Sequence, residues 1–209
     1  MNASTAQFVR KELRSLTPLY AAAAVLVSIA LIRIFFFDLK TAYSMVVLYA
    51  SYFVAALAGA ITFTGEKASG TFQFLSALPV ERGRLFLVKT LHTLVVVPAM
   101  CISVLPGVYS LVVFGGVEIK AAILCFTALA WFYCFGLLFS VLMNAVIIAT
   151  LAGITSTFLA GISMAAFSHY LYNLNKAPIL SLVLACAIPI AAVWLARRLF
   201  CGRRGQIGI

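Results

Sequence analysis

The chain has 209 residues, of which 65% are hydrophobic and only 10% are charged, and its mean hydropathy is +1.14. A soluble domain of this length cannot bury so much apolar surface, so the composition excludes a soluble globular protein, a disordered chain and a collagen-like fibre. The 15 basic residues outnumber the 5 acidic ones. Basic residues that flank membrane spans and meet lipid headgroups explain this excess better than a nucleic-acid partner does.

The N-terminal segment 4–15 is predicted to be an amphipathic helix that lies in the membrane interface. Its apolar residues share one side of a helical wheel, while Arg10, Lys11 and Arg14 share the other. The alternative, which stays open here, is a basic flank that only fixes the orientation of the first span.

Six apolar runs of about the length needed to cross a membrane predict an all-α polytopic membrane protein with a single transmembrane domain. The predicted spans are 16–37, 42–63, 91–114, 121–143, 145–167 and 179–196. With the N-terminus in the cytoplasm, 11 basic residues fall inside and 4 outside, so we expect both termini to be cytoplasmic and the protein to be multi-pass in the inner (plasma) membrane. The basic tail 197–209 is then cytoplasmic, and the turn between spans four and five uses residues around 140–145.

The segment 65–89, between spans two and three, is the longest charged connection. Ser69 is placed to cap a short helix that Pro79 ends. On this helix Phe74, Leu75 and Leu78 would share an apolar side, whereas Gln73 and Ser76 would face away. The pattern fits a handle that presses into another protein, and it equally fits a loop that only re-enters the membrane.

Span five carries small residues at every fourth position, a spacing that lets another helix approach closely. The predicted packing residues are Ala149, Gly153, Thr157 and Gly161. They indicate either a seam at a dimer or pathway interface, or packing within one bundle.

The chain lacks the residue patterns of a catalytic or metal site. All five acidic residues fall at or beyond the predicted span ends, and His92 and His169 have no second ligand nearby in the sequence. The sequence contains no phosphate-binding loop and no CxxC pair. We therefore expect no catalytic residue, no metal and no cofactor bound by this chain, and any energy for its work comes from another protein.

The connection after span two resembles a motif of the membrane subunits of ABC transporters, specifically the type-2 exporter permeases. An acidic-basic-x-x-Gly-Thr stretch is followed by Leu-x-x-x-Pro and a basic residue. Here these residues are Glu66-Lys67-Ala68-Ser69-Gly70-Thr71, then Leu75-Ser76-Ala77-Leu78-Pro79, then Arg82. Six spans and an interfacial N-terminal helix extend the similarity over nearly the whole chain.

The resemblance implies a cytoplasmic coupling helix that contacts a separate ABC ATPase subunit, which holds ATP and Mg. It also implies a second permease subunit, identical or related, with surrounding membrane lipids. The implied coupling residues are Glu66, Lys67, Gly70, Thr71, Phe74, Leu75, Leu78, Pro79 and Arg82. Spans two and five would line the substrate path with Tyr49, Tyr52, Phe53, Thr155 and Phe158.

Two other functions stay open. The size and the six spans also suit a substrate-binding membrane subunit of a vitamin importer, although the outer loops are short. A lipid-modifying membrane enzyme fits less well because acidic residues and histidines are not clustered. The apolar, small and hydroxylic residues of the implied path favour an amphipathic or lipid-like cargo, and haem is also compatible with the compact layout.

Overall fold

The computed structural model describes residues 3–36, 41–68, 82–113, 119–173 and 177–202, and within these ranges the chain forms α-helices and no strand. The helices are α1 (Ala3–Phe36), α2 (Thr41–Ala68), α3 (Arg82–Leu94), α4 (Val96–Val113), α5 (Ile119–Leu142), α6 (Val146–Asn173) and α7 (Ala177–Gly202). The predicted all-α fold is confirmed.

Five helical stretches in the described part of the chain are long and apolar enough to cross a membrane, which supports a multi-pass membrane protein. They are Val46–Thr64, Gly83–Tyr109, Cys125–Leu142, Val146–Ser163 and Val183–Gly202. In α1 the apolar stretch Leu16–Ile32 covers the residues whose side chains are described, and the sixth span stays a prediction.

Helix α1 joins the predicted interfacial segment and the predicted first span in one element of 34 residues, about 50 Å long. The helix continues through Pro18, so no break separates segment 4–15 from the apolar stretch that follows. Placement of segment 4–15 at a membrane surface stays a prediction.

The predicted third span consists of two helices, α3 and α4, separated by a turn at Val95. Pro98 has no N–H, and its ring conflicts with the carbonyl of the residue four positions earlier, which explains why the helix is interrupted just before it. The carbonyl of His92, beside the interruption, accepts a hydrogen bond from Tyr20 Oη of α1 at 2.9 Å. Residues 82–89, which the sequence assigns to the loop, are already helical.

Helices α2 and α5 form the centre of the bundle and pack directly against each other. Helix α1 packs against α4 and α2, whereas α6 and α7 pack against α5. The apolar stretches of α2 and α5 are the most buried of the five, so these two helices are the scaffold on which the others are arranged.

Trp131 joins α5 to α7 through a buried hydrogen bond from its Nε1 to the carbonyl of Ala185 at 2.7 Å. In a regular helix this carbonyl would accept from the residue four positions later, but that residue is Pro189, which has no N–H. The indole therefore satisfies a backbone acceptor that the proline leaves without a helical donor.

Candidate functional site

The predicted coupling residues lie at one end of the bundle, which we call the loop end. It comprises the end of α2 at Ala68, the start of α3 at Arg82, the turn of residues 143–145 and the end of α7 at Gly202. Six of the predicted coupling residues lie outside the described residues, namely Gly70, Thr71, Phe74, Leu75, Leu78 and Pro79. Glu66 and Lys67 lie in the last turn of α2, and Arg82 is the first residue of α3.

Lys67 connects the start of the loop to the end of α5. Its Nζ donates to the carbonyl oxygens of Ser140, Val141 and Met143 at 3.0, 2.5 and 3.1 Å. These carbonyls lie in the last turn of α5 and just beyond it, where the helix supplies no further N–H donors. The ammonium has three donors, and its charge lies at the negative end of the helix dipole. Lys67 thus holds the ends of α2 and α5 together.

The turn between α5 and α6 spans residues 143–145 and falls within the predicted region. The Met143 amide donates to the carbonyl of Phe139 at 2.8 Å, and the Ala149 amide donates to that of Ala145 at 3.0 Å. Helical hydrogen bonds therefore continue up to residue 143 on one side of the turn and from residue 145 on the other. The connection between α5 and α6 that Lys67 contacts is thus short and ordered.

Three aromatic rings at the loop end pack together from three different helices. Phe63 of α2 stacks on Phe86 of α3 with ring centroids 5.4 Å apart, and it meets Phe200 of α7 at 4.7 Å. Phe86 and Phe200 are 5.8 Å apart, and all three side chains are buried. This Phe63–Phe86–Phe200 cluster fixes the start of α3 and the end of α7 against α2, because buried aromatic contacts are tightly packed.

One turn further into the bundle, hydroxyl groups link α2, α3 and α5. Thr93 Oγ1 lies 3.0 Å from Thr62 Oγ1 and 2.9 Å from Tyr133 Oη, which donates to the carbonyl of Thr90 at 2.9 Å. Lys89, one turn before Thr93 on α3, is also buried. These hydrogen bonds add to the aromatic cluster in joining α3 to the two central helices, since polar groups between apolar helices need partners.

Three glycines mark the closest approach of α2, α5 and α6. An added Cβ at Gly59 would lie 2.6 Å from the Leu137 nitrogen, and one at Gly136 would lie 3.1 Å from the Ala60 nitrogen. An added Cβ at Gly153 would lie 2.9 Å from the nitrogen of Gly136. The backbones of these helices therefore pass so closely that a methyl group has no room.

Three of the four predicted packing residues face the interior of the same chain. Ala149 and Gly153 are buried, as is Thr157, whose hydroxyl donates to the carbonyl of Gly153 at 2.8 Å. Gly161 is exposed, and an added Cβ there would meet nothing within 4 Å. The dimer interpretation of this face stays a prediction.

Four of the five predicted path residues are exposed on α2 and α6, whereas Tyr52 is half-buried and its hydroxyl donates to the carbonyl of Cys125 at 3.1 Å. Tyr52 stacks on Phe132 at 5.1 Å, and Phe158 meets the same Phe132 edge to face at 5.8 Å. Tyr49 and Phe53 are exposed on α2. Thr155 is exposed on α6, and its hydroxyl donates to its own helix at Leu151. Tyr49, Phe53 and Phe158 thus present aromatic surface outward.

Comparisons of the chain with protein-family models, with curated proteins and with solved structures find no match. Among the residues described, no three His, Cys, Asp or Glu side chains are grouped so that they could hold a metal ion. The helices on either side of residues 69–81 are each bonded or packed to other helices of the bundle.

Proposed function

We propose that the chain is a membrane-spanning permease subunit of an ATP-driven ABC exporter that works as a dimer. In this proposal it crosses the inner membrane six times with both ends in the cytoplasm. A separate ATPase subunit binds ATP and Mg and contacts the coupling helix between spans two and three. This chain hydrolyses nothing itself and supplies the path for the cargo.

The anchoring of both helices that flank residues 69–81 is the observation that carries the proposal. On the α2 side, Lys67 binds the carbonyls at the end of α5. On the α3 side, Phe86 packs between Phe63 and Phe200. A force applied to the loop by another protein would therefore move α2 and α3 together with the α5–α6 turn and the end of α7, because tightly packed contacts transmit displacement.

The aromatic contacts between α2, α5 and α6 support a path along the outer side of these helices. A displacement of α2 relative to α6 would alter the contacts of Tyr52 and Phe158 with Phe132, which lies between them. Exposed aromatic residues such as Tyr49 and Phe53 suit an amphipathic or lipid-like cargo, because such rings bind apolar surface and Tyr adds a hydroxyl.

The proposal can be tested by co-expressing matched loop variants of this chain with an ABC ATPase encoded next to this chain's gene, and by measuring how much ATPase co-purifies. Phe74→Asp places a charge on the predicted apolar side of the coupling helix, whereas Gln73→Asp places the same charge on the predicted opposite side. We expect wild-type and Gln73→Asp proteins to retain the ATPase, and Phe74→Asp to lose at least tenfold of it, because a desolvated charge costs more than about 1.4 kcal/mol in an apolar contact.

Two results would contradict the proposal: no ATPase bound to the wild type, or equal retention by both variants. A vitamin retained stoichiometrically through purification, with no ATPase bound, would instead support the importer subunit. Turnover of a lipid substrate by the purified chain alone would support the lipid-modifying enzyme.

A further inference from the structure

The last turns of α7 carry an aromatic residue and two arginines at the surface of the loop end. Trp194 is 57% exposed, and the guanidinium of Arg198 lies 5.2 Å from the centre of its ring. The two residues are four apart, so they are neighbours on one face of the helix. An exposed Trp at the end of an apolar helix is typical of the level of lipid headgroups, and this contact places the Arg198 charge beside it.

Arg197 points towards the start of α3. Its Nη2 lies 3.8 Å from the position that a Cβ would occupy on Gly83, an ordinary contact distance, so the guanidinium lies beside the first turn of α3. Arg84 follows in the same turn of α3 and is exposed. Arg197 therefore lies next to the first turn of α3, whereas Arg198 lies over Trp194. We call Trp194, Arg197 and Arg198 the arginine surface.

The arginine surface is held in place from inside the bundle. Phe86 lies two residues after Arg84, and Phe200 lies two residues after Arg198, and their rings are 5.8 Å apart in the buried cluster. Because α3 and α7 are fixed to each other here, their basic side chains cannot separate by moving the helices apart. The helix backbones that carry these side chains are fixed before any ligand arrives, so binding has to order side chains but not helices.

The charge balance of this side favours an anion. On the predicted inner side the sequence carries 11 basic residues against three acidic ones, Glu12, Glu66 and Glu81, so these acids cannot neutralise the basic residues. Guanidinium groups match phosphate oxygens with two parallel hydrogen bonds. Beside a membrane, the phosphate most concentrated at this level is that of the lipid headgroups.

We propose that the arginine surface binds the phosphate of an anionic phospholipid, with Arg197 and Arg198 on the phosphate and Trp194 against the upper acyl chain and glycerol region. The site lies on the membrane-facing side of the loop end, next to α3. The proposal does not depend on the ATPase partner, so its test and that of the exporter function fail or succeed separately.

Native mass spectrometry of the delipidated protein tests this site with phosphatidylglycerol and phosphatidylcholine as probes. We expect the wild type to bind phosphatidylglycerol more tightly than phosphatidylcholine. The double variant Arg197→Gln/Arg198→Gln should lose roughly tenfold or more of its phosphatidylglycerol affinity, since each basic residue near an anionic lipid contributes about fivefold. The control Lys40→Gln/Lys120→Gln removes the same charge from the predicted outer side and should bind like the wild type.

Inorganic phosphate distinguishes a lipid site from a site for free phosphate. We expect excess phosphate to leave phosphatidylglycerol bound, and Trp194→Ala to weaken lipid binding, because the lipid also contacts the ring. Displacement by phosphate, equal binding of the two lipids, or a double variant that keeps its preference for phosphatidylglycerol would each overturn the proposal.

Discussion

At the scale of single residues, the absence of a side chain decides how closely the central helices approach. Lipid provides no hydrophobic drive between helices, so close backbone contact must supply the packing energy. Gly59, Gly136 and Gly153 allow this contact between α2, α5 and α6. Gly136 is the middle residue of the three, since it faces α2 through Ala56 and Ala60 and faces α6 through Gly153.

Gly136→Ala should destabilise the protein by about 1–3 kcal/mol, because the added methyl meets backbone atoms that cannot rotate away. Gly161→Ala is the matched control. Its added methyl meets nothing within 4 Å, and Ala favours a helix more than Gly does, so the free energy of unfolding should stay the same or rise slightly. Unfolding by sodium dodecyl sulfate in mixed micelles measures both, and equal stability of the two variants would show that the close contact contributes nothing.

The sequence predicted some of these contacts and missed others for a definite reason. The four-residue spacing in span five is visible in the sequence. Of the four residues that it singles out, Ala149, Gly153 and Thr157 are buried and Gly161 is exposed. Gly59 continues a four-residue spacing of small residues from Ser51 and Ala55, but neither this spacing nor the position of Gly136 indicates which helix faces them. The hydrogen bonds of Lys67 join residues more than 70 positions apart, which only the packed bundle brings together.

At the scale of helices, a proline leaves one backbone carbonyl of its own helix without an N–H donor. A side chain of a neighbouring helix can then donate a hydrogen bond to that carbonyl. The existence of the helices could be predicted, because long apolar runs form helices in a membrane and little else. The break at Val95 has a local cause in Pro98. The bond from Trp131 to Ala185 could not be predicted, since it depends on which helix lies beside Pro189. In apolar surroundings a carbonyl without a hydrogen bond costs free energy. A bond such as that from Trp131 to Ala185 therefore stabilises the packing of one particular helix against another.

A double-mutant cycle between Trp131 and Pro189 measures this contribution. In the wild type, Trp131→Phe leaves the Ala185 carbonyl without a donor and should cost about 1–3 kcal/mol in addition to lost packing. In a Pro189→Ala background, the new backbone N–H of residue 189 can bond that carbonyl. Trp131→Phe should then cost at least about 0.5 kcal/mol less. If the cost is the same in both backgrounds, the proline does not create the need for the indole donor.

At the scale of the whole molecule, the number of crossings determines on which sides of the membrane the two ends lie. Five crossings would place them on opposite sides, whereas six would place both on one side. Five stretches meet the length for crossing in the described chain, and Leu16–Ile32 is the part of α1 whose side chains are described. Helix α1 as a whole has 34 residues, more than the roughly 20 that a span requires, so it can cross as the sixth.

We expect six crossings with both ends in the cytoplasm, because this arrangement leaves 11 of the 15 basic residues inside. Single cysteines placed at Asn2, Gln206 and Lys120 in a cysteine-free version should be tested with a membrane-impermeant maleimide on intact cells. The Lys120→Cys control, predicted to be outside, should react at once. Asn2→Cys and Gln206→Cys should react only after permeabilisation, since both should be shielded by the membrane. Reaction of just one of these two on intact cells would establish an odd number of crossings. If that one is Asn2→Cys, the missing crossing lies before Lys120, in the part of the chain that contains helix α1.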